Sequence, residues 1–415
     1  PSVVRWYAKS SGTTNDKSKF LPVTPEILKG CHYKGGFDTV SIYLQNNPDS
    51  HFFASKGLIL GGSHSPSPLN RNAHCGDLSA VLLQNLNPLV NLIRVPDKKI
   101  ILMDEWESKI KAIVESTWKT DVNSLSGVPS WMLVLIKAVL QKTGSEYLTD
   151  VWPNMEVFFH GGISFEPYRD QYKALIPSDR MHYMETYNAS EGFFGLQDNP
   201  EEHSLLLMID YSVFYEFIPI NEVGEEHPTV LPLEAVEVGK NYAMVITTSG
   251  GLWRYQIGDT VRFTSLYPHK FVISGRTKNF INAFGEELMV DNADKAISRV
   301  CRQTGAKVKE YTAAPLFMLD KAKGRHQWMI EFEKMPPSLD DFASLLDKTL
   351  QQLNSDYEAK RYKEISLQPL EIRVAREGTF YEWLRRKGKL GGQHKIPRLS
   401  NDRTFIEELG KICDL

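Results

Sequence analysis

Five short segments of this 415-residue chain combine glycine with hydroxyl, carboxylate or basic side chains. The first, Lys9–Lys19, reads KSSGTTNDKSK and follows a strand-like run at Val3–Ala8. Its small hydroxyl residues and single glycine would let backbone N–H groups converge on phosphate oxygens, and its lysines supply positive charge. The segment is not a Walker A loop, because GxxxxGK[ST] is absent. Taken alone, it also fits an ordinary turn or helix cap.

Two further segments offer groups suited to a nucleotide. In Tyr187–Gly192 (YNASEG), the tyrosine could stack on a purine and Glu191 could hold a magnesium ion through oxygen. A strand-end tyrosine and a solvated glutamate are the alternative. In Trp253–Asp259 (WRYQIGD), a glycine precedes Asp259, whose carboxylate could accept both hydrogen bonds of a ribose diol. A hairpin turn is the alternative there.

The last two segments lie in the C-terminal third. Gly275–Lys278 (GRTK) is followed by Gly285-Glu286, so the glycines permit a hinge and Arg276 could reach a nucleotide. Lys389–Arg398 (KLGGQHKIPR) has a glycine pair that predicts a mobile loop, from which Lys395 could neutralise a phosphate. Without the other motifs, these segments fit a structural turn and a basic solvated loop.

The elements that must position these segments alternate between strands and helices before residue 275, which predicts an α/β fold with at least one large sheet. Apolar residues at helical spacing predict helices at Asp104–Val122 and Pro129–Lys142. Strands are predicted at Met155–His160, His182–Asn188, Ser204–Ile209, Tyr215–Pro219 and Asn241–Thr247.

The pattern after Gly275 predicts a smaller α+β domain. Its elements are helices at Asp291–Thr304, Ser338–Leu353, Thr379–Lys387 and Asp402–Gly410, and strands at Val308–Leu319, Gln327–Glu333 and Leu367–Val374. We therefore predict a large N-terminal domain of mixed β-sheets with flanking helices at residues 1–276, and a mobile C-terminal domain at 277–415.

Composition excludes several classes of function. The net charge of −3 provides no basic excess for nucleic acid. No apolar run of 18 residues is present, so we expect no membrane partner. The four scattered cysteines form no CxxC pair and fit a reducing, cytoplasmic location. The GxSxG motif of serine hydrolases and the HExxH motif of metalloproteases are both absent.

Together and in this order, the segments resemble the GH3 family of acyl acid–amido synthetases, which includes plant auxin-responsive and bacterial members. That family belongs to the adenylate-forming superfamily, with firefly luciferase and acyl-CoA synthetases. The hallmarks are a Ser-Ser-Gly-Thr loop, a Tyr-x-x-Ser-Glu segment and a Tyr-Arg-x-Gly-Asp segment. The resemblance runs from Ser10 to about Arg398.

The resemblance implies an ATP- and Mg²⁺-dependent ligase that joins a small carboxylic acid to an amino acid through an acyl-AMP. It implies that Glu191 holds magnesium and that Lys395 is the catalytic lysine of the C-terminal domain. Tyr187 would lie against adenine, Asp259 would bind the ribose, and Arg276 would touch the nucleotide near the hinge. The remaining ATP-binding residues would be Ser10, Ser11, Gly12, Thr13, Thr14, Lys17, Lys19, Gly161 and Gly162.

The chain departs from the family pattern at three places. Gln256 replaces the usual second arginine, and Glu287 stands where many relatives have a lysine. Relatives also carry a further stretch before the phosphate loop, so we expect the natural N-terminus to be missing. Two alternatives stay open: transfer of the acyl group to a thiol such as coenzyme A, and nucleotide binding without turnover. The identity of the acid and the oligomeric state cannot be inferred from the sequence.

Overall fold

The structure is a computed structural model that describes most of the chain. The described residues are 3–10, 19–62, 64–66, 73–166, 168–277, 280–281, 283–284, 286, 288–317, 324–361, 367–388, 390 and 396–413.

The strands of the described part belong to four sheets. They are β1 Trp6–Ser10, β2 Lys19–Val23, β3 Lys56–Ile59, β4 His64–Pro66, β5 His74–Gly76, β6 Arg94–Val95, β7 Val122–Gly127, β8 Val157–Gly161, β9 His182–Ala189, β10 Gly192–Leu196, β11 Leu205–Leu207, β12 Val213–Pro219, β13 Leu231–Pro232, β14 Asn241–Thr248, β15 Tyr255–Leu266, β16 His269–Arg276, β17 Phe280–Ile281, β18 Leu288–Met289, β19 Lys307–Phe317, β20 Gly324–Lys334 and β21 Glu371–Ala375.

The helices surround these sheets. They are α1 Pro25–Ile27, α2 Lys34–Asn46, α3 Leu78–Asn85, α4 Lys98–Ile101, α5 Trp106–Thr117, α6 Pro129–Thr143, α7 Leu148–Val151, α8 Arg169–Leu175, α9 Val290–Thr304, α10 Leu339–Leu353, α11 Ser355–Arg361, α12 Thr379–Arg386 and α13 Thr404–Cys413. A π-helical turn at Leu28–Tyr33 joins α1 to α2.

The largest sheet has twelve strands in the order β13-β12-β14-β15-β16-β11-β10-β9-β8-β7-β3-β6. Its pairs are antiparallel from β13 to β9 and parallel from β9 to β6. Parallel neighbours need long crossovers, and helices α5, α6 and α8 lie in those crossovers. A smaller sheet, β2-β1-β5-β4, brings the end of β1 beside the start of β2, with Ser10 opposite Lys19.

The apolar faces of α5 and α6 cover the parallel half of the sheet. Ile113 of α5 and Ile136 of α6 are buried, and they share one apolar cluster with Leu125 of β7 and Phe158 of β8. Full burial of such a side chain contributes about 1.5–3 kcal/mol. Helical spacing of apolar residues predicted both helices, because the face that meets a sheet repeats every 3.6 residues.

The C-terminal part is built on the three-stranded sheet β19-β20-β21. Helices α9 and α10 pack together on one face, around Ile297, Leu346 and Trp328. Helices α12 and α13 contribute Phe380 and Leu409 to a separate cluster with residues of the same sheet. The α/β class of the large unit and the smaller α+β unit are thus both confirmed.

Most of the predicted elements are present with shifted ends, and several strands were not predicted. Segment Trp253–Asp259, for which a hairpin turn was the alternative, leads into the twelve-residue strand β15. The following strand β16 and the buried strand β10 were also missed. Strand β15 carries polar residues on one face and a glycine inside it, so its pattern does not alternate cleanly.

Candidate functional site

A single cavity of about 1370 Å³ brings together the predicted site residues that the structure describes. It lies where the strand ends of the large sheet meet the C-terminal part of the chain. Its lining includes seven of those residues: Lys19, Gly161, Gly162, Tyr187, Glu191, Asp259 and Arg276. Concave sites that gather convergent polar groups are the usual place for ligands.

The centre of the site is the carboxylate of Asp259. The register of β15 and β16 sets Asp259 opposite Arg276, and Nε of Arg276 lies 2.9 Å from Oδ1 of the aspartate. The hydroxyl of Tyr187 donates to Oδ2 at 2.5 Å. Each carboxylate oxygen has two lone pairs, so each keeps one acceptor position for a ligand. Asp259 is therefore fixed in orientation and can still accept from a diol.

The backbone conformation of Gly258 sets the direction of the Asp259 carboxylate. The register of β14 and β15 shifts beside it, as at a β-bulge, and its φ is +88°. A side chain would be strained at that φ, whereas glycine adopts it freely. The bulge also brings the backbone of Gly258 to Thr277, whose N–H donates to the Gly258 carbonyl at 2.8 Å.

Tyr187 lies in the sheet interior. It is 6% exposed, and its ring packs against Phe194 and Phe271. Burial first, and then the charge of Asp259, raise the pKa of Tyr187 well above its ordinary value. The hydroxyl therefore stays protonated and acts as a donor to Asp259. A position against adenine stays a prediction.

Glu191 occupies the turn between β9 and β10. Burial raises its pKa to about 7, and the negative charge of Asp259 adds to the effect, while Arg276 and Lys19 oppose it. A second carboxylate, Glu185 on β9, has its pKa raised to about 7 by burial. The cavity thus holds carboxylates that a bound cation would stabilise in their charged form.

The Gly161-Gly162 pair ends β8 at the cavity. A Cβ on Gly161 would lie 2.3 Å from the carbonyl oxygen of Thr186, its partner on β9, so the two strands can approach only at glycine. Gly162 has a φ of +84°, which again favours glycine. The backbone of this turn is therefore open to a ligand.

Lys19 marks the far end of the predicted phosphate loop. Its ammonium donates to the hydroxyl of Tyr255 at 3.0 Å and also lines the cavity. Since Ser10 pairs with Lys19, the segment between them begins and ends beside the site. Residues Ser11, Gly12, Thr13, Thr14 and Lys17 lie outside the described residues, as does the side chain of Ser10.

Lys395, the predicted catalytic residue, also lies outside the described residues, together with Glu287. The described residues that follow Lys395 reach the site, since Ile396 and Arg398 line the cavity. Gln256 is exposed and does not belong to the lining, whereas its neighbours Tyr255 and Ile257 do. Alternate residues of a strand face opposite sides of the sheet. The side chain of Gln256, where the chain departs from the family pattern, therefore faces away from the cavity.

Sequence reasoning missed several groups in the cavity. Nδ1 of His32 lies 2.9 Å from Oδ1 of Asn188, and burial lowers the pKa of His32 to about 4. Burial likewise lowers the pKa of His160 to about 3, so both imidazoles are neutral. His160 directly precedes the glycine pair and could have been found from that position. His32 is 156 residues from its partner, and no local signal reveals it.

One arm of the cavity is apolar. Its side chains come from α2, α3 and β8 and from the connections beside them: Val40, Phe52, Leu82, Leu86, Ile93 and Phe159. Among the aromatic residues that flank the Gly161-Gly162 turn, Phe159, Phe165 and Tyr168 reach the cavity. Phe158 is fully buried in the core beneath.

The described residues form neither a membrane-spanning helix nor a metal-binding cluster. None of their helices is long and apolar enough to cross a membrane. Nor do three or more histidine, cysteine, aspartate or glutamate side chains among them meet as a metal cluster.

Comparison with proteins of known function is consistent with this geometry. The curated relatives include the indole-3-acetic acid-amido synthetase GH3.4 of Arabidopsis thaliana, which is 28% identical over 94% of this chain and 68% of its own length. The 4-substituted benzoates-glutamate ligase GH3.12 of Arabidopsis thaliana is 27% identical over 74% of this chain. The chain matches 59% of that relative and 46% of the synthetase GH3.3.

Solved structures share the fold. The GH3.15 acyl acid amido synthetase superposes over the whole chain and 81% of its own, with a TM-score of 0.76 and 18% identity. A 2-hydroxyisobutyryl-CoA ligase in complex with an acyl-AMP superposes over 99% of this chain and 76% of its own, with a TM-score of 0.58 and 12% identity.

Three family models match successive parts of the chain. The GH3 family N-terminal domain matches residues 1–181, the central domain 206–276 and the C-terminal domain 291–404. They follow the order of the GH3 family and together account for most of the sequence. The chain therefore belongs to the GH3 family.

Proposed function

We propose that this protein is an ATP-dependent ligase that activates a small carboxylic acid as an acyl-AMP and transfers the acyl group to an amino acid. The observation that carries the proposal is the Asp259 carboxylate, held by Tyr187 and Arg276 with acceptor positions left open. It shares its cavity with the Gly161-Gly162 turn and an apolar arm. A ribose, a polyphosphate and an acid would therefore meet in one space.

In the first step, a carboxylate oxygen of the acid attacks the α-phosphorus of ATP. The bond from that phosphorus to the bridging oxygen breaks, and pyrophosphate leaves with the electron pair. The protein positions the reactants and offsets charge, as in other transfers at phosphorus. Asp259 orients the ribose, Lys19 and the Ser10–Lys17 loop offset charge on the phosphates, and Lys395 approaches from the C-terminal part.

In the second step, the amine of the amino acid attacks the acyl carbon. The bond from that carbon to the phosphate oxygen breaks, AMP leaves with the electron pair, and the nitrogen releases a proton. After pyrophosphate has left, the acceptor needs space in the same cavity to reach the acyl carbon. We propose that rotation of residues 277–415 about the segment near Gly275 supplies it.

Magnesium fits this site through Glu191. Mg²⁺ is commonly held by one or two protein carboxylates together with substrate phosphates, so a three-residue cluster is not required. The raised pKa of Glu191, at about 7, reflects unfavourable burial of its charge, which a cation would relieve. When bound, the ion would neutralise phosphate charge.

We propose a small acid with an apolar body. The relatives are named for indole-3-acetic acid and 4-substituted benzoates, and one solved GH3.15 complex contains 2,4-DB. The apolar arm lined by Val40, Phe52 and Phe159 would take such a body. The free cysteines and the family of the chain support a cytoplasmic enzyme.

The proposal is tested by acid-dependent release of pyrophosphate from Mg-ATP, with pooled carboxylic acids and with amino acids or coenzyme A supplied separately. Acid-dependent release that amino acids accelerate supports the proposal. Acceleration by coenzyme A alone would identify the thiol acceptor instead. Binding of ATP with no release from any pool would identify a nucleotide-binding protein without turnover.

The Asp259→Asn variant tests the site itself. Loss of a charged hydrogen bond costs about 1.5–3 kcal/mol, so we expect a ten- to hundred-fold lower rate of pyrophosphate release per unit ATP concentration. The Asp210→Asn variant is the matched control, because Asp210 is exposed at the surface and pairs with Lys34. Equal rates of pyrophosphate release for the two variants would show that Asp259 does not contribute to the site.

A further inference from the structure

Arg398 stands at the contact between the two parts of the chain, three residues after Lys395. It is 8% exposed and lies among groups of both parts. Nη1 lies 2.5 Å from Oδ1 of Asp294, and Nη2 lies 3.3 Å from Oε1 of Glu310. Nη2 also donates to the hydroxyl of Tyr168 at 3.0 Å, and Tyr168 belongs to the N-terminal part.

The backbone around Arg398 is bound to the C-terminal sheet. The N–H of Ala313 donates to the Arg398 carbonyl at 2.8 Å, and Ser400 donates to the Ala313 carbonyl at 3.1 Å. Leu399 forms a parallel bridge with the edge strand β19. The arginine therefore moves with the C-terminal part, so its bond to Tyr168 exists only when the two parts are in this arrangement.

Tyr168 belongs to the segment that follows Gly161-Gly162. It begins α8, and its backbone N–H donates to the carbonyl of Phe165 at 2.9 Å. The Phe165 ring stacks on His160 at 4.2 Å, directly before the glycine pair. Tyr168 thus connects Arg398 to the Gly161-Gly162 turn through its backbone bond to Phe165 and the contact between the Phe165 and His160 rings.

A second contact reaches the same segment from helix α9. Oε1 of Glu166 accepts from Ser298 and from Arg302, each at 3.3 Å, and Oε2 accepts from Arg169 at 3.1 Å. Three hydrogen bonds from the C-terminal part, donated by Ser298, Arg302 and Arg398, therefore reach Glu166 and Tyr168. Arg302 is 46% exposed, so its ion pair is the weaker of the two contacts.

We infer that Arg398 is a positioning residue: its bond to Tyr168 holds the C-terminal part in this arrangement, in which Ile396 and Arg398 line the same cavity as Asp259, and so favours the acyl-AMP step over the acceptor step. The bond breaks when the C-terminal part rotates for the acceptor. This inference rests on the proposed function for its kinetic consequence, but not for the contact.

The Tyr168→Phe variant tests the inference, because it removes one hydroxyl and leaves the buried Arg398–Asp294 pair intact. The matched control is Tyr183→Phe. Tyr183 lies in the same aromatic cluster, and its buried hydroxyl has no hydrogen-bond partner among the described residues. Two half-reactions are measured: acid-dependent exchange of labelled pyrophosphate into ATP, and aminolysis of preformed acyl-AMP.

We expect Tyr168→Phe to slow the exchange about ten-fold and to leave aminolysis unchanged or faster, while Tyr183→Phe matches the wild type. Glu166→Gln should act in the same direction with a smaller effect. Equal slowing of both half-reactions would indicate a merely structural role and overturn the inference. Exchange equal to that of the Tyr183→Phe control would also overturn it.

Hydrogen–deuterium exchange of the ligand-free protein tests the contact without any activity. Tyr168→Phe should speed exchange of the peptide that spans residues 163–175, and Tyr183→Phe should not. If this peptide of Tyr168→Phe exchanged at the wild-type rate, the inference would be overturned, even if the wild type formed no acyl-AMP. Increased exchange in a protein without acid-dependent pyrophosphate exchange would refute the proposed function and leave the contact standing.

Discussion

Glu185 shows how strongly one position in the cavity is determined by its surroundings. It pairs with His160 across β8 and β9, and its N–H donates to Oε1 of Gln197 at 3.1 Å. Burial raises its pKa from 4.5 to about 7, partly opposed by Arg169 and reinforced by Asp291. The folded protein therefore binds a proton at this carboxyl that the unfolded chain releases.

A dependence of stability on pH follows from Glu185. Because the pKa of the folded state is the higher one, stability is lost as the pH rises from about 4.5 to 7. The side chain of the Glu185→Gln variant cannot ionise. We therefore expect the free energy of unfolding of this variant to exceed that of the wild type by about 1–2 kcal/mol at pH 8, after allowance for the partial exposure of the side chain. Near pH 5 this difference should disappear. Urea unfolding of the ligand-free protein at both values measures this.

The exposed Glu201 provides the control for that experiment. Glu201→Gln should follow the wild type at both pH values, because water already solvates its carboxylate. An advantage of Glu185→Gln that is equal at pH 5 and pH 8 would contradict the prediction, since only ionisation separates the two conditions.

Residue types in the motifs predicted candidate side chains for the site, but not how they interact. The motifs assign Tyr187 to adenine and Asp259 to the ribose independently of each other. That the tyrosine hydroxyl donates to the aspartate could not be predicted, because 72 residues separate them and only the sheet order brings them together. Arg276 was expected at the nucleotide, and its ion pair with Asp259 likewise depends on the register of β15 and β16.

At the scale of elements, the end of β8 depends on a glycine. Gly161→Ala would push a methyl group to 2.3 Å from the Thr186 carbonyl oxygen, a backbone atom that cannot swing away. Overpacking of this kind typically costs about 1–3 kcal/mol. We expect a loss of unfolding free energy in that range, together with weaker ATP binding, measured by urea unfolding and calorimetry.

Gly36→Ala is the matched control in an element without such crowding. A Cβ on Gly36 would meet no atom within 4 Å, and the residue lies inside helix α2. Alanine in a helix interior is about 1 kcal/mol better than glycine, so this variant should be as stable as the wild type or more so. A Gly161→Ala protein of unchanged stability would show that β8 and β9 can separate without cost.

At the scale of the whole molecule, apolar clusters separate where the sequence predicted a boundary. The buried residues of three clusters lie between Ala8 and Phe271, and those of two further clusters lie between Ile281 and Ile412. Trp131 packs against clusters of both parts. The central family model ends at residue 276. These observations support the division at 276, which stays a prediction.

A fragment of residues 1–276 tests that division. We expect it to unfold cooperatively and to bind Mg-ATP, because its cores and Asp259 are intact, but to catalyse no acid-dependent pyrophosphate exchange without Lys395. The control fragment 1–267 lacks β16, which lies between β15 and β11 in the sheet, and should not fold. A fragment 1–276 without a cooperative transition would place the boundary elsewhere.

The sequence by itself determined the family and the α/β class, and it identified the candidate segments for the chemistry. Local patterns are enough for these, because the spacing of apolar residues shows which face a helix buries and a motif is recognised from the order of its residue types. Helices α5, α6, α9 and α10 were predicted for this reason.

Only the tertiary structure decided which groups share the cavity and how the two parts of the chain meet. The order of twelve strands joins Tyr187, Asp259 and Arg276, and the docking of the C-terminal sheet joins Arg398 to Tyr168 across 230 residues. Strand pairing and burial act between residues far apart in the chain, and so do the pKa shifts they cause at Glu185 and His32. Such interactions produce no periodic pattern in a single sequence.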